Sequence, residues 1–390
     1  MKINPPTNFD DKLIDEFKAL GVEEVYGKLP IDIIGGGRPT AGLQHVSKKR
    51  LVEHTDKLHQ SGIKFNYLLN AASINFEEHS RSGRKRIYRF VDWLVGVGVD
   101  KVTVAIPYLF QIIRNRYPNL RMNVSEIADV NTVRKAQFWR NIGADEITLS
   151  HPFLCRNFKQ LRLIRQTVDC ELKMIANGAC LYQCPLFNYH NLWCSHASQS
   201  RVGNRPGLFI DYSFLSCRYL RMLNPAEFIR SQWIRPEDLS VYEDAGIDTI
   251  KLIDRRCSTD TILKITKAYS ERKYNGNLLD LLPVFHESSP VTLRNAWHKL
   301  KYFFHPLESN LFNCFKLRKI TKRIDVCIDN RKLDGFIKKF IEQDCSTKEC
   351  SQCRYCDNIA KKVITYNQDT MEQAKHFSKE FLDNLVQGKC

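Results

Sequence analysis

The chain has 390 residues, which is enough to bury one large core and carry a smaller appendage without covalent cross-links. Hydrophobic residues make up 43% and charged residues 26%, as in an ordinary globular protein, and no apolar run approaches the roughly 18 residues of a membrane span. We therefore expect no membrane partner. The 59 lysines and arginines exceed the 43 acidic residues, and this formal charge of +16 favours an anionic partner such as RNA or a small carboxylate.

The segment MKINPPTNFDDKLIDEF at the start is acidic and broken by prolines, unlike a secretory signal or a transit peptide. It predicts a cytoplasmic protein. In that reducing compartment, the 14 cysteines are expected to be metal ligands or redox groups rather than disulfides.

Short apolar runs alternate with amphipathic stretches from the start of the chain to about residue 260. The predicted strands are 2–4, 22–27, 64–69, 101–106, 120–125, 146–150, 172–176 and 249–253. Between them, apolar residues at three- and four-residue spacing predict helices. This alternation indicates a parallel sheet, and eight units fit a TIM-like (β/α)8 barrel. An open doubly wound sheet is the alternative, but no G-x-G-x-x-G follows a strand.

The pattern changes near residue 275. We predict an α/β barrel domain over 1–275 and a C-terminal domain over 276–390, which is helical, basic, aromatic and rich in cysteine.

Polar residues stand at the carboxyl ends of several predicted strands. Because active sites of such barrels lie at these ends, these residues are expected to form the catalytic rim. They are Asn70, Ser125, Ser150, His151, Asn177, Cys180, Lys251 and Arg255.

The stretch NGACLYQCPLFNYHNLWCSH (177–196) holds Cys180, Cys184 and Cys194, and Cys217 follows. Four thiolates suit a [4Fe–4S] cluster or a zinc ion. One close pair followed by two scattered cysteines, with proline directly after Cys184, favours the cluster. Reactive thiols and core packing are the alternatives.

A cysteine nucleophile with a histidine base is another interpretation of the same stretch. Cys180 or Cys194 would pair with His151, His190 or His196. The surplus of thiols argues against it, because a nucleophile needs only one. The three histidines are then candidates for proton transfer.

A second group, Cys345, Cys350, Cys353 and Cys356, has the tighter spacing C-x4-C-x2-C-x2-C. Such density has no good packing explanation, so it predicts a metal site, either a second [4Fe–4S] cluster or zinc.

The segments VYGKLPIDIIGGGRP, NGACLYQCPLFNYHNLWCSH and SQWIRPEDLSVYEDAGIDTIKLIDR together resemble the U32 peptidase (collagenase-like) family. The resemblance covers most of residues 1–260. Lys251 and Arg255 match the family pattern, whereas Ile253 and Asp254 stand where many relatives carry Glu-Gly, so a role of that glutamate does not transfer.

The resemblance implies two activities. Some relatives are described as peptidases. Others carry a [4Fe–4S] cluster on a barrel and hydroxylate without oxygen, in the ubiquinone pathway, on a ribosomal RNA cytidine or on tRNA uridines, with prephenate implicated as oxygen donor.

Our principal hypothesis is an iron–sulfur enzyme that carries out an oxygen-independent modification, a hydroxylation, of RNA, a small molecule or a peptide, and works with an electron-donor protein. Lys251 and Arg255 would be catalytic, and Arg38, Asn70 and Asn177 would bind substrate. The basic segments RSGRKRIYR (81–89) and KLRKITKR (316–323) are candidates for gripping RNA. A peptidase, and an RNA- or partner-binding scaffold with structural metals, are the alternatives.

Overall fold

The computed structural model describes residues 1–40, 43–200, 211–285 and 325–389. The basic segment 316–323 lies outside these residues. Eight parallel strands form one sheet in the order β1-β8-β7-β6-β5-β4-β3-β2. They are Lys2–Asn4 (β1), Glu24–Gly27 (β2), Lys64–Leu69 (β3), Lys101–Val104 (β4), Arg121–Val124 (β5), Glu146–Thr148 (β6), Glu171–Ile175 (β7) and Thr249–Lys251 (β8).

The sheet curls into a nearly closed barrel. Beyond the last paired strands, Pro6 bridges to Tyr26 in parallel, which brings the chain after β1 against β2. The predicted TIM-like barrel is confirmed, and every predicted strand overlaps an observed one.

Helices surround the barrel and follow most of the strands. Those in the barrel region are Lys12–Ala19 (α1), Lys48–Gln60 (α2), Arg81–Gly96 (α3), Pro107–Arg116 (α4), Val133–Asn141 (α5), His151–Leu154 (α6), Phe158–Thr167 (α7), Phe187–His196 (α8), Tyr212–Leu223 (α9), Ala226–Arg230 (α10), Leu239–Asp244 (α11) and Thr259–Ser270 (α12). Ser and Thr side chains cap the first turns of α2, α3, α5 and α12 by accepting backbone N–H groups.

Most of the strands alternate between apolar and polar residues. In β4, Val102 and Val104 belong to the large apolar core, whereas Lys101 and Thr103 are buried with polar neighbours. Successive strand residues point to opposite faces, so the apolar set faces the helices and the polar set fills the barrel. The interior is therefore polar, unlike the Val, Ile and Leu layers usual in this fold.

The C-terminal region adds Val326–Ile328 (β9), Lys338–Glu342 (α13), Cys350–Cys353 (α14), Tyr355–Val363 (α15), Ile364–Tyr366 (β10) and Gln368–Val386 (α16). β9 and β10 pair antiparallel. α15 packs against α10 and α16 against α9, and one apolar core continues from the barrel to Phe336 and Val363. The predicted domain boundary near residue 275 stays a prediction.

Within the described ranges, no helix combines the length and apolar character needed to cross a membrane.

Candidate functional site

The loop after β2 lies tightly across the mouth of the barrel, by which we mean the carboxyl ends of its strands. A Cβ added to Gly36 would come within 2.7 Å of the Asn70 side-chain oxygen, and Gly35 has a φ of +82°. Glycines therefore let this loop approach β3. Asn70 donates from Nδ2 to Ser125 Oγ at 3.2 Å. Its buried Oδ1 has no hydrogen-bond partner in the described part of the chain, so it can accept from a ligand.

Arg38 and Arg255, two predicted site residues at the mouth, differ in whether they form an ion pair. Arg38 donates from Nε to Asp254 at 2.7 Å. Arg255 is buried and donates to the Lys28 carbonyl at 3.1 Å, but forms no ion pair with any described residue. Arg255 is thus the better placed of the two to bind a carboxylate or phosphate.

Lys251 ends β8 and is buried inside the mouth. Its Nζ lies 4.1 Å from the centre of the Tyr26 ring, and no carboxylate in the described residues forms an ion pair with it. Burial, reinforced by the charge of Lys173, lowers the pKa of Lys251 to about 7. A buried lysine of this kind can accept a proton near neutral pH.

His151 stands between a carboxylate and a thiol. Its Nδ1 contacts Glu126 Oε1, and its Nε2 lies beside Gly178 with no hydrogen bond of normal geometry. Burial opposes the charged imidazole, but Glu126 and Cys180 outweigh it and hold the pKa of His151 well above its ordinary value. Burial likewise opposes ionisation of Cys180, yet His151 leaves the pKa of that thiol below its ordinary value.

Three of the four predicted cluster ligands lie together. Cys184 is buried with Leu181 and Phe187, and Cys217 packs against this group. Burial, followed by the charges of Cys180 and Cys217, raises the pKa of Cys184 to about 11. The three thiols therefore lie in one region of the mouth, but among the described residues no three such side chains converge on one point.

Arg221 holds the two thiol-bearing segments together. From α9, it donates to the carbonyls of Ala179 and Cys217. The loop itself rests on α6, because the Gln183 N–H donates to Pro152 O at 3.0 Å.

Cys194, the fourth predicted ligand, is buried on α8 and acts electrostatically on His190 and Arg38. His190 pairs with Asp211 at 3.1 Å. His196 follows at the end of α8, where burial lowers its pKa and its Nδ1 has no hydrogen-bond partner in the described residues. Cys194 and these two histidines thus extend the site along α8.

Asn177 forms hydrogen bonds with the main chain of two other segments. Its Nδ2 donates to the carbonyls of Ile253 and Leu281, and its Oδ1 accepts the Ile253 N–H at 2.8 Å. The amide is therefore occupied, and its predicted contact with substrate stays a prediction.

All four thiols of the C-terminal group line one cavity of about 40 Å³. In the described portion of the chain, no three His, Cys, Asp or Glu side chains yet converge on one point as metal ligands do.

Two carboxylates at the mouth are not predicted from the sequence. Glu126 directly follows the predicted strand that ends at Ser125, so the same strand-end criterion would have found it. Asp254 pairs with both Arg38 and Arg256. In the sequence it stands out only as a departure from the family pattern, and no neighbouring residue indicates which arginines pair with it.

The fold and the site together define a TIM-like barrel whose polar, titratable and thiol residues gather at the carboxyl ends of the strands. The sequence pattern of peptidase family U32 matches residues 38–205. An uncharacterized protease of Methanocaldococcus jannaschii is 30% identical over 341 residues, which cover 87% of this chain and 88% of that protein. The chain belongs to peptidase family U32.

Four more distant relatives are named for RNA hydroxylation. Among them, the 23S rRNA 5-hydroxycytidine synthase of Escherichia coli is 26% identical over 177 residues, 45% of this chain and 25% of that protein. The others are tRNA hydroxylation proteins, and the matches span between 25% and 44% of these four relatives. A solved U32 peptidase structure has a TM-score of 0.48 and 22% identity, over 65% of this chain and 93% of that one.

Proposed function

We propose that this chain hydroxylates a base in RNA without molecular oxygen, at the mouth of the barrel. The observation that carries the proposal is the grouping of three thiols, Cys180, Cys184 and Cys217, beside the Glu126–His151 pair. The hydroxylation names of the distant relatives support the same reaction class.

The donor set has the chemistry of an iron–sulfur site, and because no three of these thiols converge on one point among the described residues, binding would draw them together. Cys180, Cys184 and Cys217 supply soft thiolate ligands against the apolar side chains of Leu181 and Phe187, and Cys194 is the predicted fourth ligand. When bound, a [4Fe–4S] cluster supplies redox-active, Lewis-acidic iron at this position.

The net reaction exchanges two bonds. The C–H bond of the base becomes C–OH, and a hydroxylated carboxylate donor such as prephenate exchanges its C–OH for C–H. The two electrons lost by the base are thereby gained by the donor. Arg255, buried without an ion pair among the described residues, binds the donor carboxylate. Lys251 takes the proton from the base carbon, and His151 delivers a proton to the donor.

An exposed aromatic surface beside the mouth suits unpaired bases. We define it as Phe76, His79 and Tyr108. Phe76 is 76% exposed and held at a φ of 59°, a costly backbone conformation for a bulky residue. His79 stacks on Tyr108 with ring centres 4.7 Å apart. Bases stack on such rings with little regard to sequence.

A basic stripe continues from the aromatic surface along α3. Arg81, Lys85 and Arg89 are exposed and spaced four residues apart, so they lie on one face of the helix. Three cations in a row complement a phosphate backbone.

The test is nucleoside mass spectrometry of RNA incubated anaerobically with the protein and a hydroxylated dicarboxylate. We expect a nucleoside heavier by one oxygen, abolished in Cys217→Ser and retained in Cys170→Ser, a buried cysteine that lies outside the thiol group of the mouth. RNA that stays unchanged with every donor, while the protein holds an intact cluster, would contradict the proposal.

A peptidase is the second candidate, favoured by one observation. Cys180, His151 and Glu126 have the order of a nucleophile, a base and an orienting carboxylate. A peptidase should lose cleavage of a casein substrate in Cys180→Ser but keep it in Cys184→Ser. A cluster enzyme should lose its activity in both variants.

A further inference from the structure

The C-terminal thiols are brought together by two short helices and a turn. Cys350 and Cys353 occupy the two ends of α14, one helical turn apart and hence on one face. Arg354 then takes a left-handed conformation with a φ of 50°, which ends α14 and starts α15 in a new direction. Cys356 follows in the first turn of α15, and Cys345 reaches the same cavity from the preceding 3-10 turn.

Of the four thiols, Cys345 and Cys356 pack against the apolar core, whereas Cys350 and Cys353 do not belong to it. Each is only partly buried, and all are free cysteines. They line one common cavity, in which the space open to a water-sized molecule is about 40 Å³, so there is room among them for a bound ion. Packing thus gives no reason for four cysteines within twelve residues.

Two arginines give this cavity a positive environment. Arg230 pairs with Asp357, next to Cys356, and Arg156 is buried between the rings of Trp233 and Phe336. Both guanidinium groups lie near thiols of this group, where they would offset part of the negative charge of a metal-bound set of thiolates.

The cavity is also tied to the first thiol group. Two residues beyond Arg230, the Gln232 N–H donates to Cys180 O at 2.7 Å. Tyr182, which lies between Cys180 and Cys184, interacts with Cys345. The loop after β7 therefore lies between the two thiol groups.

We propose that Cys345, Cys350, Cys353 and Cys356 hold a second metal centre, which fastens residues 345–357 over the loop after β7. The ligand is a thiophilic metal, as a zinc ion or an iron–sulfur cluster. Because no three of the thiols already converge on one point within the described residues, binding draws them inward across the cavity. The centre goes beyond the proposed hydroxylation and does not depend on it.

Metal content per chain tests the proposal. The full chain is purified anaerobically, and iron, acid-labile sulfide and zinc are measured in wild type, in Cys350→Ser/Cys353→Ser and in Cys184→Ser/Cys217→Ser. Cys327→Ser is the matched control, because Cys327 is an exposed cysteine outside both groups. We expect the first double variant to lose one centre, the second double variant to keep it, and the control to match wild type. Iron with sulfide identifies a cluster, and zinc identifies a single ion.

Alkylation of the wild type provides a measurement that needs no variant. With iodoacetamide and peptide mass spectrometry, we expect Cys327 to react at once and the four thiols to react only after a chelator is added. Immediate reaction of all five cysteines, or unchanged metal in folded Cys350→Ser/Cys353→Ser, would overturn the proposal. If the wild type holds this metal but does not hydroxylate RNA, the proposed function is contradicted and the second metal centre is not.

Discussion

At the scale of single residues, the contact between His151 and Glu126 depends on the absence of a side chain at residue 178. A Cβ on Gly178 would come within 2.3 Å of His151 Nε2, and ring atoms on the same side are nearly as close. His151 is itself held by Glu126 and cannot retreat without losing that contact. The glycine thus keeps open the space between the imidazole and the Cys180 loop.

We predict that Gly178→Ala destabilises the protein by about 1–3 kcal/mol through overpacking and abolishes activity by displacing His151. The control is Gly96→Ala, because nothing lies within 4 Å of a Cβ there. Urea unfolding gives the free energies. A stable, fully active Gly178→Ala enzyme would show that the position of His151 is unimportant.

Lys251 makes a second residue-scale prediction, on pH. Its pKa is about 7 when folded, against an ordinary value of 10.5. Between these pH values the unfolded chain binds more protons, so this residue makes stability rise with pH, by at most about 1.4 kcal/mol per pH unit. In Lys251→Met, the stability lost relative to wild type should therefore grow from pH 7.5 to 9.5. Arginine stays charged in both states, so the loss in Lys251→Arg should grow over the same pH range. Parallel curves for wild type and Lys251→Met in urea unfolding would refute the lowered pKa.

At the scale of the elements, the strands carry a buried network of charges inside the barrel. Lys101 lies 2.8 Å from Glu24 and 3.2 Å from Glu146, and Lys173 lies 2.8 Å from Glu146. Burial raises the pKa of Glu24, but Lys173 and Lys101 outweigh it and lower that pKa to about 2. This contribution to stability is present above pH 4.5 and is lost as the pH falls towards 2.

Removing one charge of this network should lower the free energy of unfolding, because the partner charge stays buried without its counterion. We predict that Glu146→Gln lowers the free energy of unfolding by about 3 kcal/mol, whereas Lys173→Met/Glu146→Leu costs less than the sum of its single changes. Asp169→Asn, which breaks the exposed pair with Arg140, should leave the free energy of unfolding almost unchanged. Additive losses in a double-mutant cycle would contradict the network.

At the scale of the whole molecule, positive charge and exposed aromatics meet on the side of the barrel where the mouth opens. The net charge of +16 raises affinity for any polyanion, so charge by itself gives no specificity. The aromatic surface next to the basic stripe of α3 adds a reason for binding unpaired bases near the site.

We predict that Phe76→Ala weakens binding of single-stranded RNA about tenfold, the loss of one stacked base. Phe138→Ala is the matched control, since Phe138 is an exposed phenylalanine on α5. Fluorescence anisotropy at two salt concentrations separates stacking from charge, because phosphate contacts weaken with salt. Equal affinities of the two variants would exclude a stacking role for Phe76.

The sequence by itself determined the barrel. Strand and helix periodicity, such as the pattern in KFNYLL and KVTV, is a local property. It can be recognised without knowing which segments pack together. It also located the residues at strand ends, Lys251 and His151 among them, because the carboxyl ends of parallel strands meet at one mouth. The tight spacing of Cys345–Cys356 likewise made their common cavity predictable.

Only the tertiary structure decided which of these residues meet. Glu126 reaches His151 from 25 residues away, Asn177 is occupied by the backbone of Ile253, and Cys194 acts on Arg38 rather than being grouped, like Cys217, with Cys184. The charged barrel interior is not predicted from the sequence either, although its polar residues alternate with apolar ones along the strands. The reason is physical: ion pairs and hydrogen bonds across the barrel join strands and loops far apart in sequence, and local periodicity carries no information about how those loops run.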